Sequence, residues 1–292
     1  MIWSYRKRSE VIVKHRAAID GLVAYKPGRA PAAGRPQVKL SSNEMSFGPL
    51  PAVLDAISRA AATLNRYPDF HRVELTEALA RRHDVDPSQV VVDNGSGALL
   101  QVLASVIASP GDEILHAWRA FESYPIVTAV SGATGVTVPL DDRHTHDLAA
   151  MAAAVTDRTR MVIVCNPNSP TGTVVSRDGL DRLLDALPED VLLVLDEAYQ
   201  DFVTDPGSPC GIDLARERPN VAVLRTFSKA YGLAGLRVGY CVTRPETAEL
   251  IRKAIVGFSV STLAQAGAPA ALAPEAAAAR ESKKRHFHRI YG

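Results

Sequence analysis

A short apolar run leads into a loop that contains a lysine and an arginine in the stretch Val221-Ala-Val-Leu-Arg-Thr-Phe-Ser-Lys-Ala-Tyr-Gly-Leu-Ala-Gly-Leu-Arg-Val-Gly239. The run Val221–Leu224 is continuously apolar, which is typical of a strand buried on both faces of a sheet. Lys229 lies just past this predicted strand, next to hydroxyl groups. A lone lysine in a loop is usually solvated, so its meaning depends on whether similar loops occur elsewhere in the chain.

Three more apolar runs of the same character are separated by helix-like stretches. These runs are Val90–Val92, Met161–Cys165 and Val191–Leu195. One of the intervening stretches, Arg177–Leu187, begins after Ser176, a residue suited to capping a helix N-terminus. Strands that alternate with helices predict a parallel α/β sheet, and ligands of such sheets bind where the strands end.

The loops that follow these runs carry groups suited to binding a charged ligand. The glycine-rich stretch Asp93-Asn-Gly-Ser-Gly97 precedes a predicted helix, whose free N–H groups and positive dipole end favour an anion. Asp196 ends another run, and a carboxylate at the exit of a buried strand is costly unless a cation or a donor meets it. The stretch Asn166-Pro-Asn-Ser-Pro-Thr-Gly172 follows the run Met161–Cys165 in the same way. With the loop that contains Lys229, four loops in one register predict a ligand site at this edge of the sheet.

The composition favours a globular cytoplasmic protein. The chain has 292 residues, which suggests one large domain with a smaller one. Lys+Arg number 33 and Asp+Glu 32, so the net charge is +1 and we expect no binding to nucleic acid. We expect no membrane span and no export, because the sequence lacks a long apolar run and its first residues are charged. Three widely spaced cysteines fit neither a disulfide framework nor a metal site.

Six stretches extend the pattern over nearly the whole chain. They are Lys39-Leu-Ser-Ser-Asn-Glu44, Phe47-Gly-Pro-Leu-Pro51, Asn65-Arg-Tyr-Pro-Asp69, Asn166-Pro-Asn-Ser-Pro-Thr-Gly172, Asp196-Glu-Ala-Tyr199 and Thr226–Gly239. Together they resemble the fold type I pyridoxal-phosphate aminotransferases, in the branch of the histidinol-phosphate and aromatic amino acid aminotransferases. The resemblance implies a mostly parallel seven-stranded α/β sheet between helices, a small second domain, pyridoxal 5'-phosphate as cofactor, and a homodimer.

The resemblance also implies roles for individual residues. Lys229 would form a Schiff base with the cofactor aldehyde and later act as a base. Asp196 would keep the pyridinium nitrogen protonated, and Tyr199 would hydrogen-bond the phenolic oxygen. The other expected cofactor contacts are the phosphate ligands Ser96, Gly97, Thr226, Ser228 and Arg237, the ring-stacking Phe121, the loop residues Asn168 and Ser169, and Tyr67, which would reach the phosphate from the other subunit. The substrate candidates are Tyr25, Asn43 and Tyr124, and no metal ligand is expected.

Two departures from the family pattern affect this interpretation. Relatives usually carry asparagine where this chain has Ser169, and a serine hydroxyl is shorter, so we expect a weakened contact to the phenolic oxygen. Relatives also continue beyond the end of this sequence with a segment that holds the arginine for the substrate carboxylate. We therefore expect a chain truncated at the C-terminus, with uncovered apolar surface in residues 251–272.

The sequence thus predicts transfer of an amino group between histidinol phosphate or an aromatic amino acid and 2-oxoglutarate. Two alternatives stay open, namely a decarboxylase of a phosphorylated amino acid that uses the same cofactor, and a cofactor-binding remnant without turnover. The predicted domains are an N-terminal arm of residues 1–40 that contributes to the small domain and the dimer, a large cofactor-binding domain of residues 41–250, and the start of an incomplete small domain in residues 251–292.

Overall fold

The computed structural model describes residues 16–22, 41–205, 207–279 and 282. Within these ranges seven strands form a single sheet. They are β1 (Val90–Asp93), β2 (Glu113–Trp118), β3 (Thr134–Pro139), β4 (Thr159–Cys165), β5 (Leu192–Asp196), β6 (Val221–Thr226) and β7 (Gly239–Thr243). The order across the sheet is β1-β7-β6-β5-β4-β2-β3, and among the described strands only β7 runs antiparallel to its neighbours. The α/β fold with a mostly parallel seven-stranded sheet is therefore confirmed.

Helices cover both faces of this sheet. They are α1 (Pro51–Ala61), α2 (Val73–His83), α3 (Ser96–Ile107), α4 (Ser123–Ser131), α5 (Leu148–Ala153), α6 (Arg177–Ala186), α7 (Gly211–Glu217), α8 (Pro245–Ala254) and α9 (Thr262–Leu272). The predicted cap of α6 is confirmed, because the Ser176 hydroxyl accepts the Gly179 N–H at 3.1 Å. Among the described residues, no helix is long and apolar enough to cross a membrane.

The core lies in two layers because successive residues of each strand point to opposite faces. In β5, Leu193 and Leu195 contribute to one apolar cluster, whereas Leu192 and Val194 contribute to the other. Strands buried on both sides need apolar residues at nearly every position, which explains the continuous runs in the sequence. The sheet is thereby a rigid support for the loops at its edges.

The strands β1, β4, β5 and β6 all end at the same edge of the sheet. Their last residues are Asp93, Cys165, Asp196 and Thr226. The antiparallel β7 begins at this edge, where Gly239 pairs with Asp93 on one side and with Thr226 on the other. The four loops expected to form the site are therefore neighbours in space.

The prediction of uncovered apolar surface in residues 251–272 is partly wrong. Ile251 and Val260 are buried, and α9 buries Ala264 and Ala268 as it packs against α1 and α2. In this range of the described chain, large apolar side chains are exposed only between α8 and α9, where Val256 is 74% and Phe258 is 42% exposed. The helices that follow the sheet thus complete its core.

Candidate active site

Lys229 lies in the loop after β6, half-buried among three segments of the chain. Its Nζ donates a hydrogen bond to the carbonyl oxygen of Ser42 at 2.9 Å. The same nitrogen lies 5.4 Å from the centre of the Tyr199 ring, close enough for a cation–π contact. Lys229, the predicted reactive amine, therefore lies next to the end of β5.

Asp196, the last residue of β5, is a buried carboxylate with defined donors. It is only 6% exposed, and its two oxygens accept the Tyr124 hydroxyl at 3.0 Å and the Ala198 N–H at 3.3 Å. Burial raises the pKa of Asp196, whereas the Tyr124 hydrogen bond, the Ala198 N–H and the Lys229 charge oppose that rise. These neighbours favour the ionised carboxylate.

The structure corrects our prediction that Tyr124 contacts the substrate. Tyr124 lies in the first turn of α4 with no exposed surface, and its hydroxyl is bound to Asp196. Burial raises the pKa of Tyr124 well above its usual value, so its hydroxyl remains protonated and acts as a donor. A side chain in this position orients the Asp196 carboxylate instead of touching a substrate.

An anion cradle forms where the N-terminus of α3 meets the loops around Thr226, Ser228 and Arg237. The first N–H groups of a helix have no partner within the helix, and here they belong to Ser96 and Gly97. A Cβ at Gly95 would lie 2.9 Å from the Arg237 guanidinium, which shows how closely that cation approaches the helix end. Arg237 also donates to the Ser228 hydroxyl at 3.2 Å. The predicted phosphate ligands are thus brought together.

Gly239 permits this convergence because it has no side chain. A Cβ at this position would lie 2.4 Å from the Ser96 nitrogen and 2.9 Å from the Gly95 carbonyl carbon. Both distances are far below an ordinary contact, so only glycine lets β7 pass the N-terminus of α3. The close approach of β7 to the N-terminus of α3 therefore explains why the sequence motif ends in glycine.

Asn168, in the loop after β4, forms hydrogen bonds within the protein. The Asn168 side chain is 3% exposed, and its amide donates to the Arg119 carbonyl at 3.1 Å and to the Thr171 hydroxyl at 2.8 Å. Its oxygen is bound to a ring nitrogen of His146 at 3.1 Å. These bonds hold the loop, so Asn168 has a structural role here, and its contact with the cofactor stays a prediction. Ser169 beside it is half-buried.

Asn43 and Tyr199 are directly linked. The Asn43 amide donates to the Tyr199 hydroxyl at 2.8 Å from a backbone with φ of 50°, in the left-handed region that asparagine tolerates. The predicted phenol-binding tyrosine therefore has an amide beside it that the sequence pattern had assigned only to the substrate. Tyr25, the third substrate candidate, lies outside the described residues.

Two predicted aromatic contacts are on the surface of the single chain. Phe121 is 37% exposed and packs edge-on against Tyr124, with ring centres 5.7 Å apart. Tyr67 is 82% exposed and stacks on Phe258 at 4.6 Å. Phe121 is thus near Asp196 through Tyr124, whereas Tyr67 belongs to a separate exposed aromatic surface.

Sequence reasoning missed two charged residues beside the site. Glu197 follows Asp196, Arg225 precedes Thr226, and the two side chains form an ion pair with nitrogen and oxygen 2.7 Å apart. The signal for this pair is the presence of opposite charges at neighbouring positions of two adjacent predicted strands. Both charges are visible in the sequence, but their pairing could be inferred only from the order of the strands, which places β5 next to β6.

Comparisons with known proteins agree with this geometry. The family model for aminotransferase class I and II matches residues 35–290. An aromatic amino acid aminotransferase of Thermobifida fusca is 56% identical over 262 residues, which are 89% of this chain and 72% of that protein. The corresponding protein of Streptomyces avermitilis is 53% identical over 268 residues, or 91% of this chain and 75% of the relative.

Solved structures give the same result. Histidinol-phosphate aminotransferase from Sinorhizobium meliloti in complex with pyridoxal-5'-phosphate is 34% identical, with a TM-score of 0.79 over 84% of this chain and 66% of that one. Aspartate aminotransferase from Thermus thermophilus with maleate is 26% identical, with a TM-score of 0.77 over 86% of this chain and 69% of that one. The chain spans between two thirds and three quarters of the length of these relatives. By its sequence and its fold, this chain belongs to the class I and II aminotransferases.

Proposed function

We propose that this chain is an aminotransferase that takes its amino group from an amino acid with an aromatic side chain and passes it to a keto acid, with 2-oxoglutarate as the expected acceptor. One observation carries the proposal: a lysine amine, a buried carboxylate and an anion cradle meet at one edge of the sheet. The names of the T. fusca and S. avermitilis relatives support the aromatic donor.

The cofactor of this chain is pyridoxal 5'-phosphate, and the chemistry of its donor set fits that molecule. The phosphate dianion matches the anion cradle, where a helix N-terminus, two hydroxyl groups and a guanidinium converge. A ring nitrogen that carries a proton matches the buried carboxylate of Asp196. A phenolic oxygen matches the hydroxyl groups of Tyr199 and Ser169. The phosphate, the ring nitrogen and the phenolic oxygen of the cofactor thus each have a partner of complementary charge or hydrogen-bonding capacity.

When bound, pyridoxal 5'-phosphate supplies an aldehyde that combines with amines and a ring that accepts an electron pair. Lys229 would hold it through Nζ and, when that nitrogen is free, would carry a proton from the substrate carbon. Asp196 would keep the ring nitrogen protonated, and Tyr124 orients the Asp196 carboxylate through its hydrogen bond. The cradle would hold the phosphate in a fixed position, and Lys229 would then move the proton at a defined point.

The exposed aromatic surface supports the proposal of a homodimer. Tyr67 and Phe258 stack on each other, and the neighbouring Val256 is 74% exposed. Apolar side chains exposed together typically mark an interface between proteins. We propose that a second copy covers this surface and that Tyr67 reaches the phosphate bound by the partner subunit. Light scattering after size exclusion tests the dimer, and Tyr67→Ala is expected to weaken it.

A stepwise absorbance experiment tests the proposed reaction. The protein is titrated with pyridoxal 5'-phosphate, and L-phenylalanine or histidinol phosphate is then added in separate samples. Conversion of the cofactor spectrum to that of pyridoxamine phosphate by L-phenylalanine is expected. Conversion by histidinol phosphate alone would reassign the donor, carbon dioxide release would support the decarboxylase, and a stable spectrum with both compounds would refute transamination.

A further inference from the structure

The ion pair between Glu197 and Arg225 is one of the most buried charged contacts among the described residues. The Glu197 side chain is 1% exposed and the Arg225 side chain 11%. Two guanidinium nitrogens of Arg225 approach the same carboxylate oxygen, Nε at 2.8 Å and Nη2 at 2.7 Å. This is the geometry of a charge-assisted hydrogen bond and not of an incidental surface contact.

The second oxygen of Glu197 is also used. It accepts the N–H of Gly211 at 2.6 Å, at the first residue of α7. A Cβ at Gly211 would lie 2.6 Å from this same oxygen, so the carboxylate fills the space at the helix start. Arg225 in turn contacts the Cys210 sulfur at 3.5 Å. One carboxylate therefore ties together the end of β5, the end of β6 and the beginning of α7.

Stability alone gives little reason to keep this pair. Burial raises the pKa of Glu197 against the opposing effect of Arg225, which means that the ionised carboxylate bears a large desolvation cost. Buried ion pairs often contribute no more than apolar residues of the same size would, because desolvation offsets the attraction. The fixed geometry of the Glu197–Arg225 pair must therefore serve a purpose other than stability.

This purpose concerns the residues that are adjacent in sequence to Glu197 and Arg225. Glu197 directly follows Asp196, and Arg225 directly precedes Thr226 in the segment that leads to Lys229. The Glu197 N–H also donates to the Leu224 carbonyl at 2.9 Å, so backbone and side chain fix the same junction. The carboxylate of Asp196 and the amine of Lys229 must face opposite parts of one small ligand, and the junction between their strands sets their separation.

We propose that Glu197 and Arg225 form a positioning pair that fixes Asp196 relative to the Thr226–Lys229 segment for cofactor binding. The inference rests on the proposed function, because it assumes that both groups contact pyridoxal 5'-phosphate. The proposal requires no contact between either residue and the cofactor. Their effect is transmitted through the peptide bonds to Asp196 and Thr226.

The decisive variant replaces both charges with apolar side chains, as Glu197→Leu with Arg225→Met. Three properties are measured on it and on the wild type: the melting temperature without cofactor, the Kd for pyridoxal 5'-phosphate by absorbance, and the circular dichroism of the bound cofactor. We expect a melting temperature close to that of the wild type, a Kd raised about tenfold or more, and altered circular dichroism. A pair without a positioning role would leave the Kd and the circular dichroism as in the wild type, whatever the effect of its replacement on the melting temperature.

A matched control comes from the opposite edge of the sheet. Glu113 begins β2 and is paired there with Arg158, far along the strands from Lys229. Glu113→Gln is expected to lower the melting temperature, because the Glu113 side chain is only 5% exposed and accepts a hydrogen bond from Arg158. The cofactor Kd is expected to stay within about twofold, because the pair lies away from the site. If the double variant does not fold, Glu197→Gln decides by the same measurements, because it retains the size of the side chain.

The outcomes separate the two proposals. If the wild type fails to bind pyridoxal 5'-phosphate, the proposed function is wrong. If the wild type binds it and the Glu197 variants bind it equally well with unchanged dichroism, the positioning inference alone is overturned. A Kd that stays within about twofold of the wild type despite a lower melting temperature, as expected for Glu113→Gln, would overturn it as well.

Discussion

Gly239→Ala adds one methyl group at the point where β7 passes the N-terminus of α3. The new Cβ would lie 2.4 Å from the Ser96 nitrogen, 2.9 Å from the Gly95 carbonyl carbon and 2.9 Å from the Arg225 oxygen. Ordinary contacts between heavy atoms lie at about 3.5–4.0 Å, so the first turn of α3 must move by about 1 Å. All three neighbours are backbone atoms, and no side chain can rotate away to relieve the clash.

The magnitude of the effect follows from that displacement. Overpacking in a well-packed region costs about 1–3 kcal/mol, and each kcal/mol lowers the melting temperature by about 2–4 °C in a protein of this size. Because the moved atoms form the anion cradle, cofactor affinity suffers in addition to stability. A misplacement of about 1 Å in a site can cost up to about a hundredfold, so we expect the Kd for pyridoxal 5'-phosphate to rise at least about tenfold.

The assay is a melting curve without cofactor followed by an absorbance titration with pyridoxal 5'-phosphate. Gly235→Ala is the matched control, since its added Cβ would meet no heavy atom of the described residues within 4 Å. We expect that control to stay within about 0.5 kcal/mol of the wild type. Wild-type stability and affinity in Gly239→Ala would refute the reasoning about the cradle.

Three further outcomes are expected. Tyr124→Phe removes the hydroxyl bound to Asp196, and because a hydrogen bond to a charged group is worth about 1.5–3 kcal/mol, the cofactor Kd is expected to rise about tenfold or more at neutral pH. Ser169→Asn adds the amide that the family uses, and one hydrogen bond of about 0.5–1.5 kcal/mol is expected to lower the Kd about two- to tenfold. Burial lowers the pKa of His83 to about 3 and of His146 to about 4, from 6.5. Below about pH 6.5 the unfolded state therefore binds protons that the folded state does not. The free energy of unfolding is expected to fall by up to about 1.4 kcal/mol per pH unit for each histidine. Urea unfolding at pH 7 and at pH 5 measures this fall.

Each of these expectations has a contradicting result. An unchanged Kd in Tyr124→Phe would mean that Asp196 does not depend on that hydroxyl. A Kd that rises in Ser169→Asn would mean that the loop cannot accept the longer side chain. A double variant with glutamine at positions 83 and 146 should lose less stability between pH 7 and pH 5 than the wild type, and an equal loss would assign the pH dependence to other groups.

Much of the fold could be predicted because the sheet is buried on both faces. The apolar runs at β1, β4, β5 and β6 differ from the observed strands by at most two residues at either end. The edge strand β3 was harder to recognise, since its partly exposed sequence Thr-Gly-Val-Thr-Val-Pro lacks a continuous apolar run. A continuous apolar run identifies a strand only where both of its faces are covered.

The backbone of the candidate site was also predictable, whereas several side-chain partners were not. The four loops were identified because each follows a predicted strand. Tyr124 binds Asp196 across 72 positions of sequence, and Asn168 turns toward His146 in the protein interior. Such contacts depend on how α4 and the loop after β4 pack on the sheet, and the local sequence does not determine that packing.

The most direct test of the central claim identifies which lysine carries the cofactor. The protein is loaded with pyridoxal 5'-phosphate, treated with borohydride to make the link permanent, digested, and analysed by mass spectrometry. We expect the phosphopyridoxyl group on Lys229, with none on this peptide when borohydride is omitted, because the unreduced link hydrolyses during digestion. A label distributed over surface lysines, or concentrated on a different lysine, would contradict the assignment of this site.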